Sequence, residues 1–377
     1  MLTLITNADI HAPESRGRGQ VLLAGERIQA VAEEIDIRGA EVEVLDAEGQ
    51  MLLPGFVDVL THPCGGGGEG GFGNRTGEIS AAQFIRAGVT TPVGALGTDS
   101  IGRSLEVLYG NVMGLRDQGL AACMYTGAYR VPVPTLTGDI ARDLVLIEPV
   151  IGVGELAISD HRSAQPTIEE LRRVAADTRL GGTLKGTGGT VLVHVGDGES
   201  RLAPLRDALA RSDLPVHSFY PTHVNRSQAL MAEAVDYAKQ GGYADITVST
   251  TPELVAAGDI PGLQALLDMQ AGGAPADRLT LSSDAGGSLP VYVDGELQGL
   301  TAAEPGALLE VLQQAMHEVP TAVTAVISAL TCNPAAALGL ADRGRIGPGR
   351  RADLMLLDPE SGRPRKVFCG GRALLSE

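Results

Sequence analysis

The stretch Leu53-Pro54-Gly55-Phe56-Val57-Asp58-Val59-Leu60, closed by Thr61-His62, reads as an apolar β-strand that delivers a histidine at its C-terminal end. Seven runs of the same kind follow at spacings of roughly 25 to 40 residues. They are Thr90–Leu96, Ala121–Tyr129, Ile151–Ile158, Thr190–Val195, Phe219–Val224, Asp245–Ser249 and Arg278–Ser283. Amphipathic stretches at helical period lie between them: Ile79–Ala87, Thr167–Asp177, Ser227–Gln240 and Pro305–Glu318. Strands alternating with helices predict an α/β fold with a parallel sheet, here a TIM-type (β/α)8 barrel.

The two ends of the chain read differently. Leu2–Ile5, Gln20–Ala24, Ile28–Val31 and Val42–Asp46 are short β segments punctuated by turns, and Ala352–Leu357 and Arg365–Leu374 have the same character. β-rich ends around an alternating middle predict that the termini meet in one small sheet domain.

Composition narrows the function. Lys and Arg total 29 against 46 Asp and Glu, a formal charge of −17. That balance repels phosphate backbones and anionic membranes, so neither nucleic acid nor membrane is an expected partner. A small acidic ligand stays open, because a few inward-facing arginines reverse the local field. No basic leader or long apolar run opens the chain, and Cys64, Cys123, Cys332 and Cys369 form no C-x-x-C pair. A cytoplasmic protein without zinc ribbons or disulfides is expected.

Chemistry in such a barrel sits at the C-terminal ends of the strands. His62 follows run one, Glu155 lies late in run four, His194 ends run five, His223 ends run six and Asp284 follows run eight. One histidine after an apolar strand is more often a satisfied core group than a ligand, and Asp284 alone could fix a turn. Strand-end placement in five of eight units instead points to a divalent metal, for which imidazole and carboxylate are the ligands of zinc. Asp284 is then the natural general base. His11, His217 and His317 read as structural or surface groups, and His161 as a candidate support behind the ligands.

At these positions the chain resembles the amidohydrolase superfamily. Pro54-Gly55-Phe56-Val57-Asp58-Val59-Leu60-Thr61-His62 is similar to its P-G-F-[IV]-D-x-H-x-H opening, and Asn333–Leu340, Gly344–Gly349 and Ala352-Asp353-Leu354 to its closing signature. The resemblance narrows to β-aspartyl (isoaspartyl) dipeptidases through Gly65–Glu69, Leu96–Ser100, Thr126–Tyr129, Ala157–Ser163, Pro221–Arg226 and Leu281–Asp284. It implies a small β-sandwich domain built from both termini, residues 1–52 plus 344–377, beside a catalytic barrel at 53–343. It further implies Glu69 and Thr98 at the substrate α-amino group, and Arg162, Arg226 and Ser288 at its carboxylates. Tyr129 would polarise the scissile carbonyl, and the family's habit of homo-oligomers carries over as an expectation. Two arginines near the metal-site residues suit carboxylate recognition on their own chemistry. The glycine run lacks the Gly-Lys-Ser/Thr of a phosphate loop.

Two departures shape the metal expectation. Leu60 stands where the first histidine of H-x-H belongs, and Glu155 where the family has a bridging carboxylated lysine, in a strand one residue longer than the pattern. Glu155, His194 and His223 remain as a three-ligand set, similar to the single-metal arrangement of some N-acetylglucosamine-6-phosphate deacetylases. The expectation is one tightly held Zn2+, with His62 nearby and able to support a weaker second ion. The leading function is hydrolysis of a small acidic dipeptide or amide. The alternatives are an amidohydrolase of another substrate (an N-acyl amino acid deacetylase or a deaminase) and a silent barrel that binds an acidic small molecule.

Overall fold

Pro54-Gly55 divides the first apolar run between two sheets. The computed structural model describes residues 2–293 and 296–376. Its chain begins with β1 (Leu2–His11), β2 (Ser15–Ala24), β3 (Arg27–Ala32), β4 (Val42–Asp46) and β5 (Met51–Pro54), and only then enters β6 (Phe56–Thr61). The expected single strand over Leu53–Leu60 is therefore two. A Cβ at Gly55 would lie 2.3 Å from Thr90 Oγ1, so the crossing needs a residue without a side chain.

The other expected runs each become one strand: β7 (Val89–Gly94), β8 (Cys123–Thr126), β9 (Val150–Ile158), β10 (Thr190–Val195), β11 (Phe219–Thr222), β12 (Ala244–Thr247) and β13 (Leu279–Ser282). Strands β6 to β11 pair in chain order as one parallel sheet, and β12 pairs parallel with β13. Side chains bridge the two seams. Thr222 Oγ1 donates to Asp245 at 2.7 Å between β11 and β12, and the Ser283 amide donates to Asp58 at 3.1 Å between β13 and β6. A parallel bridge pairs Thr61 with Ala285. This is a mixed α/β fold of TIM-barrel type.

Val59, Val93, Tyr125, Leu192 and Tyr220 fill the barrel interior, with Ala335 of the helix Cys332–Ala337 and Leu338 just beyond it packed against them. Leu60 belongs to the same cluster and is fully buried. The helix expected over Thr167–Asp177 runs on to Lys185. Thr167 and Glu170 form its capping box, and Gly186 ends it in the left-handed conformation. Gly181 and Gly182 do not break it, because their missing side chains admit Leu144 on one side and Gly188-Gly189 on the other.

After β13 comes a hairpin absent from the sequence reading, β14 (Ser288–Val293) with β15 (Glu296–Ala302). The chain ends in β16 (Leu354–Leu357), β17 (Pro364–Cys369) and β18 (Arg372–Ser376), so the last expected segment is two strands. These join the N-terminal strands in one sheet, ordered β18-β17-β16-β5-β1-β2-β3, with β4 beside the first half of β1. That sheet has its own apolar cluster, including Ile5, Ile10, Val21, Leu52, Leu354 and Phe368. Among the described residues no helix is long and apolar enough to cross a membrane. All four cysteines are buried and free.

Candidate active site

The barrel strands bring Glu155, His194 and His223 together so that one ligand atom from each lies within 4.8 Å of the others. All three are buried. Glu155 reaches the cluster through a bulge. Val153 pairs with Val191 and Leu156 with Val193, so β9 spends three residues where β10 spends two. The extra residue noted in the sequence is this bulge, a device that re-aims a side chain. His223 and Asp284 follow their strands with φ of 60° and 53°, a left-handed conformation rare for such residues and common at functional sites.

Three imidazoles turn one nitrogen toward Glu155 and tie the other elsewhere. His194 Nδ1 is 3.4 Å from Glu155 Oε2, while Nε2 donates to Asp160 at 2.9 Å. His223 Nε2 is 3.4 Å from the same oxygen, with Nδ1 bonded to Thr247 Oγ1 at 2.6 Å. His62 Nε2 is 3.5 Å from Glu155 Oε1, and its Nδ1 donates to the Ala95 carbonyl at 3.1 Å. Backbone comes close here too, since a Cβ at Gly97 would sit 3.3 Å from the His62 ring.

Burial alone would raise the Glu155 carboxyl, but the neighbouring His194 and His223 rings hold it well below the usual range. Burial pulls His62 down, yet Asp284 and then Glu155 push it up to about 9. His223 falls to about 4 through burial and the neighbouring Arg226. Asp284 Oδ1 lies 3.0 Å from His62 Nε2 but is not aligned as a hydrogen bond, and this buried oxygen has no hydrogen-bond partner.

Around this centre lies the polar shell. Arg162 forks onto Asp160 at 2.7 and 2.9 Å and reaches Glu69 at 3.2 Å. Thr98 donates to the same Glu69 oxygen at 2.9 Å, leaving Glu69 Oε2 buried and without a partner. Tyr129 donates to His194 Nδ1 at 2.7 Å, and burial, with Glu155 adding to it, raises its hydroxyl well above the ordinary value. Arg162, His223, Arg226, Asp284 and Ser288 line one cavity of ≈ 340 Å³. Every residue expected to hold metal or substrate thus lies in the candidate metal cluster or the shell around it.

Asp160 is the residue the sequence reading missed. Its side chain is 2% exposed, whereas His161, expected to support the ligands, is 85% exposed. Strand alternation fails after Ile158 because Ser159 takes a left-handed turn, with φ of 51°. The hint available was an acid one residue before a histidine and two before Arg162.

Residues 251–374 match the sequence profile of the Amidohydrolase family. Over its whole length the chain is 40% identical to the β-aspartyl dipeptidase of Fervidobacterium islandicum AW-1, solved in complex with a β-Asp-Leu dipeptide. That alignment covers 97% of the dipeptidase chain, with a TM-score of 0.91. A further structure of the β-aspartyl dipeptidase from that organism gives 38% identity and a TM-score of 0.90 over the same shares. The chain belongs to the amidohydrolase family. Another relative of this amidohydrolase is the adenine deaminase of Methylobacterium sp. (strain 4-46), 28% identical over 347 residues, which are 88% of this chain and 52% of that protein. The chain spans about half of that relative's length.

The residues of this amidohydrolase fit a divalent ion. Two inward imidazole nitrogens and a carboxylate form a tight set, and the outward nitrogens are held by Asp160 and Thr247, as metal-bound histidines require. The partnerless Asp284 oxygen beside His62 and Glu155 marks an acid-rich centre suited to a cation. Leu60 offers no donor atom, and His62 stands outside the three-residue set.

Proposed function

We propose that this chain hydrolyses the amide bond of β-aspartyl dipeptides or closely similar small acidic amides, with Zn2+ held by Glu155, His194 and His223. One observation carries the reading: the ligand cluster shares its mouth with a partnerless Glu69 oxygen and two arginines. A dipeptide with a free α-amino group and two carboxylates needs that complement of charges. Leu60 supports a count of one firmly bound ion, with a second held only weakly near His62 and Asp284.

When bound, the metal supplies Lewis acidity and lowers the pKa of water from about 15.7 towards about 7. The protein does the rest. Asp284 takes the proton of the attacking water and returns it to the leaving amine. Tyr129, kept protonated by burial, donates to the oxygen on which charge develops. Glu69 and Thr98 hold the α-ammonium, and Arg162, Arg226 and Ser288 hold the carboxylates. Asp160 fixes the plane of the Arg162 guanidinium.

The finer organisation is read in the same way. Residues 1–52 and 344–377 form a small β-sandwich beside the 53–343 barrel, supported by the shared sheet and its separate apolar cluster. A cytoplasmic homo-oligomer is supported by four free cysteines and by exposed Val145, Leu146, Leu180 and Leu184 on two neighbouring helices.

The test is turnover of β-Asp-Leu by the zinc-loaded protein, compared with its Asp284→Asn variant. Hydrolysis by the first and its loss in the second are expected. Turnover of adenine or N-acyl amino acids with none of β-Asp-Leu would shift the substrate within the family. Absence of any turnover would leave a silent binding barrel.

A further inference from the structure

Grooves larger than the active-site cavity lie elsewhere on the molecule. Thr190 opens β10 at the end opposite His194, and it lines a groove of ≈ 530 Å³ together with Arg179, His217, Ser218, Tyr243 and Arg278. Among the described residues, no Asp or Glu lines this groove. In a chain with 46 acids and 29 bases, that is the reverse of the average surface.

A neighbouring groove of ≈ 720 Å³ shows the usual arrangement. There Arg116 pairs with Glu148 at 2.7 Å, Arg343 with Asp342 at 2.9 Å and Arg351 with Glu26 at 3.3 Å. In the acid-free groove, Arg179 has no carboxylate within ion-pair distance among the described residues. Arg278 has only the exposed Asp277, 3.7 Å from its Nε. The helix Ile168–Lys185 ends here, and its dipole contributes about half a negative charge against two guanidinium groups. Positive charge is left over.

The groove is also built rather than merely exposed. Arg278 lies over the Tyr243 ring at 4.8 Å, and Tyr243 in turn packs edge-on against buried Tyr220. Ser218 Oγ is buried in the wall with no hydrogen-bond partner. His217 and Arg179 stand exposed along the same groove as Arg278, and the His217 imidazole is held below its ordinary pKa by burial and then by the two guanidinium groups.

We propose that this groove binds a small phosphoryl oxyanion, free or as the phosphate of a small metabolite, with Arg179 and Arg278 as forked donors and His217 beside them. The site is independent of the chemistry at the barrel mouth. Guanidinium forks match a tetrahedral oxyanion, and a compact anion gains here without meeting the acidic surface that repels a polyanion.

Calorimetric titration of the zinc-loaded full chain at constant ionic strength tests this, with inorganic phosphate and glycerol phosphate as probes. Saturable binding is expected, weakened at least about tenfold in the Arg179→Gln, Arg278→Gln double variant. The corresponding double lysine variant should keep part of it. Tighter binding of the ester than of phosphate would assign a metabolite, and equal binding the free ion. Phosphate held at the metal centre would titrate alike in native and variant proteins. That result, or no saturable binding at all, overturns the proposal. Unchanged dipeptide hydrolysis and melting temperature in the variants verify that their fold is intact.

Discussion

His194 Nε2 lies 2.9 Å from Asp160 Oδ2, and this contact decides which ring nitrogen faces Glu155. Beside a carboxylate, Nε2 must carry the proton, so Nδ1 is left bare toward the cluster. The same Asp160 oxygen accepts from Arg162 at 2.7 Å, and Arg226 stands 3.8 Å away. Burial would raise this carboxyl, but His194 and Arg162 hold it far below the usual carboxylate range. One buried acid therefore orients His194 of the candidate metal cluster and Arg162 of the cavity wall together.

Replacing that acid should loosen the metal first. Asp160→Asn keeps the shape but weakens the acceptor, and zinc affinity should fall by about 10- to 100-fold. Competition with a chromophoric chelator measures it. An unchanged affinity would mean that Asp160 serves only Arg162.

Glu69 has one oxygen occupied by Thr98 and Arg162 and one buried without a partner. Glu69→Gln should raise KM for β-Asp-Leu by about 10- to 100-fold, with a smaller effect on kcat. Steady-state kinetics separate the two. A fall in kcat alone would place Glu69 in the chemical step.

Two buried carboxyls beneath the site give the fold a pH dependence. Burial pushes Asp58 up to about 7 against hydrogen bonds from Ser283, and Asp245 up to about 6 against those from Ser282, Thr280 and Thr222. Both values are raised above the unfolded one, so the folded chain binds these protons more tightly. Their stabilisation is complete below about pH 4 and is lost as the pH rises through 6 to 7, a change on the order of 3–4 kcal/mol for each. In Asp245→Asn, the fall in melting temperature between about pH 4.5 and pH 7.5 should be smaller than in the native protein. An equal or steeper fall would contradict this.

Leu60 separates one firmly held ion from two. Leu60→His should raise the zinc content of chelator-free protein from one toward two ions per chain, while Leu60→Met should leave it at one. Elemental analysis decides. Two ions in the native protein would show that His62 and Asp284 suffice without a histidine at 60.

The barrel was legible because its strands are apolar on both faces, so each run stands out from the chain around it. The candidate ligands were legible because the fold places chemistry at strand ends, and His194 and His223, with His62 beside them, fall there by counting along the runs. What escaped depended on backbone that counting cannot follow. The left-handed turn at Ser159 exchanged the roles of Asp160 and His161, and the Pro54-Gly55 crossing hid a change of sheet. The hairpin from Ser288 to Ala302 did carry a signal, the strand-forming Val291-Tyr292-Val293 followed by Asp294-Gly295, but it falls outside the strand-helix alternation by which the barrel was read. Glu155 was visible as an odd extra residue, but only its pairing with β10 shows a bulge aiming a carboxylate at three imidazoles.

Zinc titration of metal-free protein, followed by β-Asp-Leu hydrolysis, tests the central claim most directly. Activity should be absent without metal, rise in proportion to added zinc and break at about one equivalent per chain. Full activity in rigorously metal-free protein, or none at any zinc level, would contradict it.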